Sequence, residues 1–90
     1  MASVPRTYAV TVLRPAVRAI ERLDPDVRTR IRQAIRALVT VPRPVVCVRL
    51  SDSADRYRIR VGDYRILYEV RDGELVVIVI RVGRRRDVHR

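Results

Sequence analysis

The sequence predicts an α+β fold, with an N-terminal strand and an α-hairpin packed on a mostly antiparallel β-sheet in the order β-α-α-β-β-β-β. Three observations predict it. Period-two alternation opens the chain, helical periodicity punctuated by proline fills residues 14–41, and β-forming runs separated by Gly-Asp and Asp-Gly occupy the rest. With 90 residues the chain is read as one domain, 1–90. Folding at this size hides only about 60–65% of the surface that an unfolded chain exposes, so the core must be compact. Apolar residues make up 48% of the sequence, enough to build that core and to argue against disorder despite 33% charged residues.

The elements follow in order. Thr7 to Leu13 alternates, with Tyr8, Val10 and Val12 on one face, and reads as a strand. Pro15 suits the first turn of a helix whose apolar side is Val17, Ile20 and Leu23, with Arg14, Arg18 and Arg22 on another side. Asp24-Pro25 starts a second helix, the Asp as N-cap. Its stripe is Val27, Ile31, Ala34, Ile35 and Leu38, and Pro42 and Pro44 stop it near Val41. Val45 to Leu50 is expected as a strand with Cys47 buried in it. Tyr57 to Val61, Tyr64 to Arg71 and Glu74 to Val82 are expected as three more. Gly62-Asp63 and Asp72-Gly73 suit two-residue turns of type II′ and I′. Leu75 to Ile80 is apolar on both faces, which places its strand inside the sheet.

Charge is the outlier. Twenty basic residues, all arginine, stand against ten acidic ones for a formal +10. Such a chain is expected to meet a polyanion or an acidic partner. A guanidinium stays protonated and grips a phosphate through two hydrogen bonds, but it cannot accept a proton near neutrality. Single Cys47 and single His89 make neither an internal disulfide nor a zinc-ligand set, and the three glycines are isolated, so no phosphate loop exists. No cofactor or metal is expected. The six-residue aliphatic run Leu75 to Ile80 is too short for a membrane span, and the start has no signal-peptide pattern, so a cytoplasmic protein is expected.

The first hairpin fixes a register by arithmetic. A two-residue turn at Gly62-Asp63 sets Arg60 opposite Arg65 and Tyr57 opposite Tyr68. One face then carries Tyr57, Ile59, Val61, Tyr64, Ile66 and Tyr68 as core. The other carries Arg58, Arg60 and Arg65, with Arg56 further along. Like charges directly opposite cost on the order of 0.2–1 kcal/mol, so the cluster is either solvated beside Glu69, Asp63 or Asp87, or built for phosphate. A two-residue second turn puts Ile80 opposite Arg65. The run Arg84-Arg85-Arg86 then emerges near the same face, with Arg85 and His89 at its edge. A neutral imidazole beside that cluster can take the proton of a ribose 2′-OH while arginines stabilise the charge on phosphorus.

The stretch from Tyr57 to Val70, YRIRVGDYRILYEV, resembles the central hairpin of the RelE/ParE toxin superfamily, and Val82 to Arg90 resembles its C-terminal segment. The resemblance covers nearly the whole chain. It implies a type II toxin that cleaves mRNA without metal in the A site of the 70S ribosome and is silenced by a RelB-like antitoxin in a hetero-oligomer. It assigns Arg65 to transition-state stabilisation, Arg85 to stabilisation or leaving-group protonation, and Arg58 and Arg60 to the RNA backbone and scissile phosphate. With the residues' own chemistry, this makes Arg60, Arg65, Arg85 and His89 the catalytic set. Arg56, Arg58, Arg84 and Arg86 are the RNA contacts. His89 stands where the best-known RelE pattern has tyrosine, and arginines replace its lysines on the first hairpin strand. A ParE-like topoisomerase inhibitor that acts by binding is the alternative. A general RNA-binding module is disfavoured, because three of the four tyrosines are assigned to the core and leave no stacking platform.

Overall fold

The computed structural model describes residues 6–50 and 55–84. Its elements are β1 (Ala9–Val12), α1 (Arg14–Glu21), α2 (Pro25–Ala37), β2 (Val48–Arg49), β3 (Arg56–Val61), β4 (Tyr64–Arg71) and β5 (Val76–Arg84). The strands form one sheet in the order β1-β5-β4-β3-β2, antiparallel except for β1, which runs parallel to β5. The apolar run thus lies in an internal strand, as its two-sided character demands.

Both helices begin at prolines in their first turns, where the missing N–H leaves nothing unpaired. Asp24 caps α2 through its backbone rather than its carboxylate. The side chain makes no capping bond, while the carbonyl accepts the Arg28 N–H at 2.8 Å. α2 ends at Ala37, a turn earlier than expected, and Val41 N–H still reaches the Ala37 carbonyl at 3.0 Å before the prolines intervene. Ile31, Ile35 and Leu38 are buried as the stripe requires. α1 differs: Ala16 and Ile20 are buried, but Val17 is 38% exposed.

The core joins these helical residues to Tyr57, Ile59, Ile66, Tyr68, Val70, Val77, Val79 and Val82 of the sheet. Each fully buried aliphatic side chain contributes roughly 1.5–3 kcal/mol. Tyr68 is wholly buried and its hydroxyl donates to the Pro42 carbonyl at 2.7 Å, which satisfies the polar tip. Burial pushes that hydroxyl's pKa well up.

Three expectations are corrected. The strand at Val45 to Leu50 shrinks to Val48–Arg49. Val45 and Val46 are exposed beyond it, next to Pro44, and Cys47 is half-buried ahead of the strand rather than within it. The second turn spans residues 72–75, so β5 starts at Val76 instead of Glu74. Leu75 takes a left-handed φ of 54° there, with its N–H on the Asp72 carbonyl at 3.2 Å and its own carbonyl accepting Ala9 N–H at 2.9 Å.

Tertiary contacts explain the longer turn. Asp72 accepts the Tyr8 hydroxyl at 2.7 Å and both terminal nitrogens of Arg43 at 2.9 and 2.7 Å, while Arg43 Nε donates to the Tyr57 hydroxyl at 2.7 Å. The turn is therefore shaped by β1 and by the connection after α2, not by its own two residues. These bonds hold the Asp72 carboxyl down to about 2, Arg43 being the largest cause.

The third correction is a bulge in β5. Leu67 pairs with Arg81 and Tyr68 with Val79, leaving Ile80 as the extra residue. Longer turn and bulge together bring Gly83, not Ile80, opposite Arg65.

Candidate nucleic-acid interface

The β3–β4 hairpin has the register that its turn dictates: Arg60 opposite Arg65, Arg58 opposite Leu67 and Arg56 opposite Glu69. Gly62 has φ 59° and Asp63 is not left-handed, as a type II′ turn needs. Paired residues share a face, so the side of the sheet away from the helices carries three rows across β3, β4 and β5. They are Arg60–Arg65–Gly83, Arg58–Leu67–Arg81 and Arg56–Glu69–Ile78. Successive rows lie two residues apart along the strands, about 6.6 Å.

The third row is neutralised within itself. Glu69 takes Arg56 Nε at 3.5 Å and Arg71 Nε at 2.6 Å, and Arg71 also reaches Glu74 at 3.5 Å. The Arg71 hydrogen bond is the main reason the Glu69 carboxyl titrates below its ordinary value, against the upward push of burial. Arg56, expected as an RNA contact, is thus engaged by a carboxylate.

The first two rows contain no acidic side chain. Arg60 donates Nε to the Gly62 carbonyl at 3.1 Å, which steadies the guanidinium on the turn and keeps its two terminal nitrogens for another acceptor. Arg58 is half-buried and Arg81 exposed, and neither has an ion pair or side-chain hydrogen bond among the described residues. Arg65 is not the open cation that the alternation suggests: it is the one buried charged residue among those described, 6% exposed. Gly83 beside it has no side chain, so the β5 end of its row carries only backbone.

The structure does not bring every expected residue here. Arg84 pairs with Tyr64 and its guanidinium lies 5.9 Å from that ring's centroid, which puts it on the face of the helices at the end of the sheet. Arg85, Arg86 and His89 lie outside the described residues, and so does the expected approach of the tail to the basic face. Arg81 was missed by sequence reasoning. Simple alternation through Val77 and Val79 turns residue 81 toward the core, and only the bulge at Ile80 reverses it. No group of three His, Cys, Asp or Glu among the described residues could hold a metal ion.

Comparison with known proteins bears on what this face serves. Residues 10–89 match the family model described as ParE toxin of type II toxin-antitoxin system, parDE. No curated protein matches the sequence. Among solved structures, RelE in the archaeal RelE–RelB complex of Pyrococcus horikoshii OT3 is 27% identical with TM-score 0.80, covering 88% of this chain and 96% of that one. The toxin–antitoxin complex RelBE2 of Mycobacterium tuberculosis matches at 27% identity and TM-score 0.76, over 88% and 99%. Isolated RelE toxin of E. coli matches at 28% and 0.76, over 86% and 83%. A family match over most of the chain and the same sheet with its two helices lead to one conclusion: the chain belongs to the ParE/RelE family of toxins from type II toxin–antitoxin modules, with the RelE fold.

Proposed function

We propose that this toxin is an endoribonuclease that cuts mRNA in the ribosomal A site, independently of metal, and that a RelB-like antitoxin silences it in a hetero-oligomer. One observation carries the reading. Arg58, Arg60 and Arg81 gather beside the buried Arg65 in two adjacent rows that hold no acidic side chain among the described residues, an arrangement suited to a phosphodiester.

In this mechanism His89 takes the proton of the 2′-OH, and the resulting oxygen attacks the adjacent phosphorus. The bond to the 5′-oxygen breaks, that oxygen takes a proton from Arg85 or from water, and His89 returns its own proton to solvent. Arg60, Arg65 and Arg85 stabilise the charge that builds on the phosphoryl oxygens. The product carries a 2′,3′-cyclic phosphate or, after hydrolysis, a 3′-phosphate. Arg56, Arg58, Arg84 and Arg86 are the remaining candidates for the RNA backbone; of the three described, Arg58 is the best placed, since Arg56 is bonded to Glu69 and Arg84 lies on the face of the helices.

Ribosome dependence fits the absence of a stacking surface among the described residues. Tyr8, Tyr57 and Tyr68 are buried and Tyr64 is half-buried, so this face offers bases no ring, and positioning must come from elsewhere. Cytoplasmic action follows from that requirement. The test is His89→Ala on ribosomes programmed with mRNA: cleavage should slow by roughly 10²–10⁴. An unchanged rate removes His89 from the mechanism.

The family description favours a second reading, a ParE-like inhibitor of a topoisomerase that acts by binding. Timed expression separates the two. Early mRNA cuts support the nuclease, and DNA damage before any mRNA loss supports the inhibitor.

A further inference from the structure

We infer that the row Arg58–Leu67–Arg81 is a second phosphate seat, one step along the RNA from the Arg60–Arg65 row, and that the bulge at Ile80 exists to complete it. The inference rests on the reading of this face as the RNA-binding surface.

Arg58 and Arg81 stand on β3 and β5, either side of Leu67 on β4, and so lie about 9.6 Å apart at the backbone, two strand spacings. Both are long side chains able to lean inward over the leucine. A phosphate above Leu67 therefore meets guanidiniums from two sides, while the half-buried leucine beneath competes for none of their hydrogen bonds. The row is about 6.6 Å from the Arg60–Arg65 row, comparable to the step between neighbouring phosphates of an extended strand.

The bulge is what makes the pair. In an unbroken ladder continuing from Tyr68 opposite Val79, Ile80 would face Leu67 and Arg81 would face Ile66 in the core. An arginine buried there without a partner is strongly unfavourable. The extra residue puts Arg81 opposite Leu67 and returns Val82 to the core, opposite Ile66 and only 4% exposed.

The next row down ends the track. Glu69 presents a carboxylate one step beyond Leu67, and its ion pairs with Arg56 and Arg71 leave no free cation for a third phosphate. The sheet therefore grips two consecutive phosphates.

The experiment uses the full-length toxin and a 2′-O-methyl hexanucleotide, which binds but lacks the attacking hydroxyl, with affinity measured by fluorescence anisotropy against salt. Arg81→Ala and Arg58→Ala should each weaken binding by roughly five- to tenfold at low salt and flatten the salt slope by about 0.7, the value for one phosphate contact to a single strand. Arg81→Lys should keep the slope, and Arg71→Ala should change neither quantity. An Arg81→Ala protein with wild-type affinity and slope overturns the seat, as does a wild-type protein that fails to bind the probe. Equal loss in Arg71→Ala shows general attraction to a basic surface and overturns it too. A wild-type toxin that leaves programmed mRNA uncut sinks the nuclease reading alone, because probe binding does not depend on cleavage.

Discussion

Two halves of one sheet face handle the same residue type in opposite ways. Around Glu69, arginines 56 and 71 are held in ion pairs of 3.5 and 2.6 Å; one and two rows away, arginines 58, 60, 65 and 81 have no carboxylate in their rows. The backbone is the same twisted ladder in both halves. A single acidic residue on β4 makes the difference, where the other half has Leu67 and Arg65. Arginine abundance alone therefore does not mark a binding surface. What sets the second half apart is that its rows hold arginines of β3, β4 and β5 with no acidic side chain between them, an arrangement a sheet face otherwise avoids.

The largest expected contrast is in cleavage. Arg60→Ala should lower the rate on programmed ribosomes by roughly 10²–10³ if its terminal nitrogens meet the reacting phosphate, while Arg71→Ala stays within about twofold, since it touches only carboxylates. Comparable losses in both would erase the distinction between the halves.

Glu69→Gln converts the paired half into an uncompensated one. Freed from the carboxylate, Arg56 and Arg71 should tighten binding of a short single-stranded RNA several-fold at low salt and steepen its salt slope by up to about 1.4, two contacts' worth. No change in slope would mean that these two side chains cannot reach an RNA backbone. The stabilising part of the Glu69 pairs should follow pH in the direction set by a lowered carboxyl pKa. It is complete above the unfolded value, near 4.5, and is lost as pH falls through the lower folded one.

Gly62→Ala probes the turn on which Arg60 rests. A Cβ there meets no atom within 4 Å, so space is not the obstacle; φ of 59° is. A cost of roughly 1 kcal/mol should lower Tm by about 4–8 °C for a domain of this size, and cleavage should fall with the loosened Arg60.

The smallest effect should come from Asp72→Asn, on the other side of the comparison, where an ion pair serves architecture only. Wild-type Tm should hold down to about pH 4, the ordinary carboxylate value, then fall as pH drops toward 2, where Asp72 protonates in the folded protein. The variant should be less stable at neutral pH and lack that component of the acid decline. Identical pH profiles would show that the Arg43–Asp72 clamp contributes nothing measurable.

The β3–β4 hairpin was legible residue by residue. Gly62-Asp63 is a local turn, and the apolar alternation of Tyr57, Ile59, Ile66 and Tyr68 admits one register with a buried face. The second hairpin was not, although Asp72-Gly73 is the stronger local signal. Asp72 had distant partners in Tyr8 and Arg43, 64 and 29 residues away in sequence, and these outweighed the two-residue preference. The same limit concealed Arg81, whose face depends on a bulge that no local residue announces, and misjudged Arg65, whose burial no alternation rule contains.

The chain by itself determined the α+β class, the two proline-started helices, the hairpin with its opposed arginines and the excess of positive charge, because turns, periodicity and side-chain chemistry act over a few residues. Only the tertiary structure decided which arginines are compensated, which one is buried and which one a bulge turns outward. Those outcomes are set by pairings between distant segments, where one extra residue in a strand exchanges its two faces.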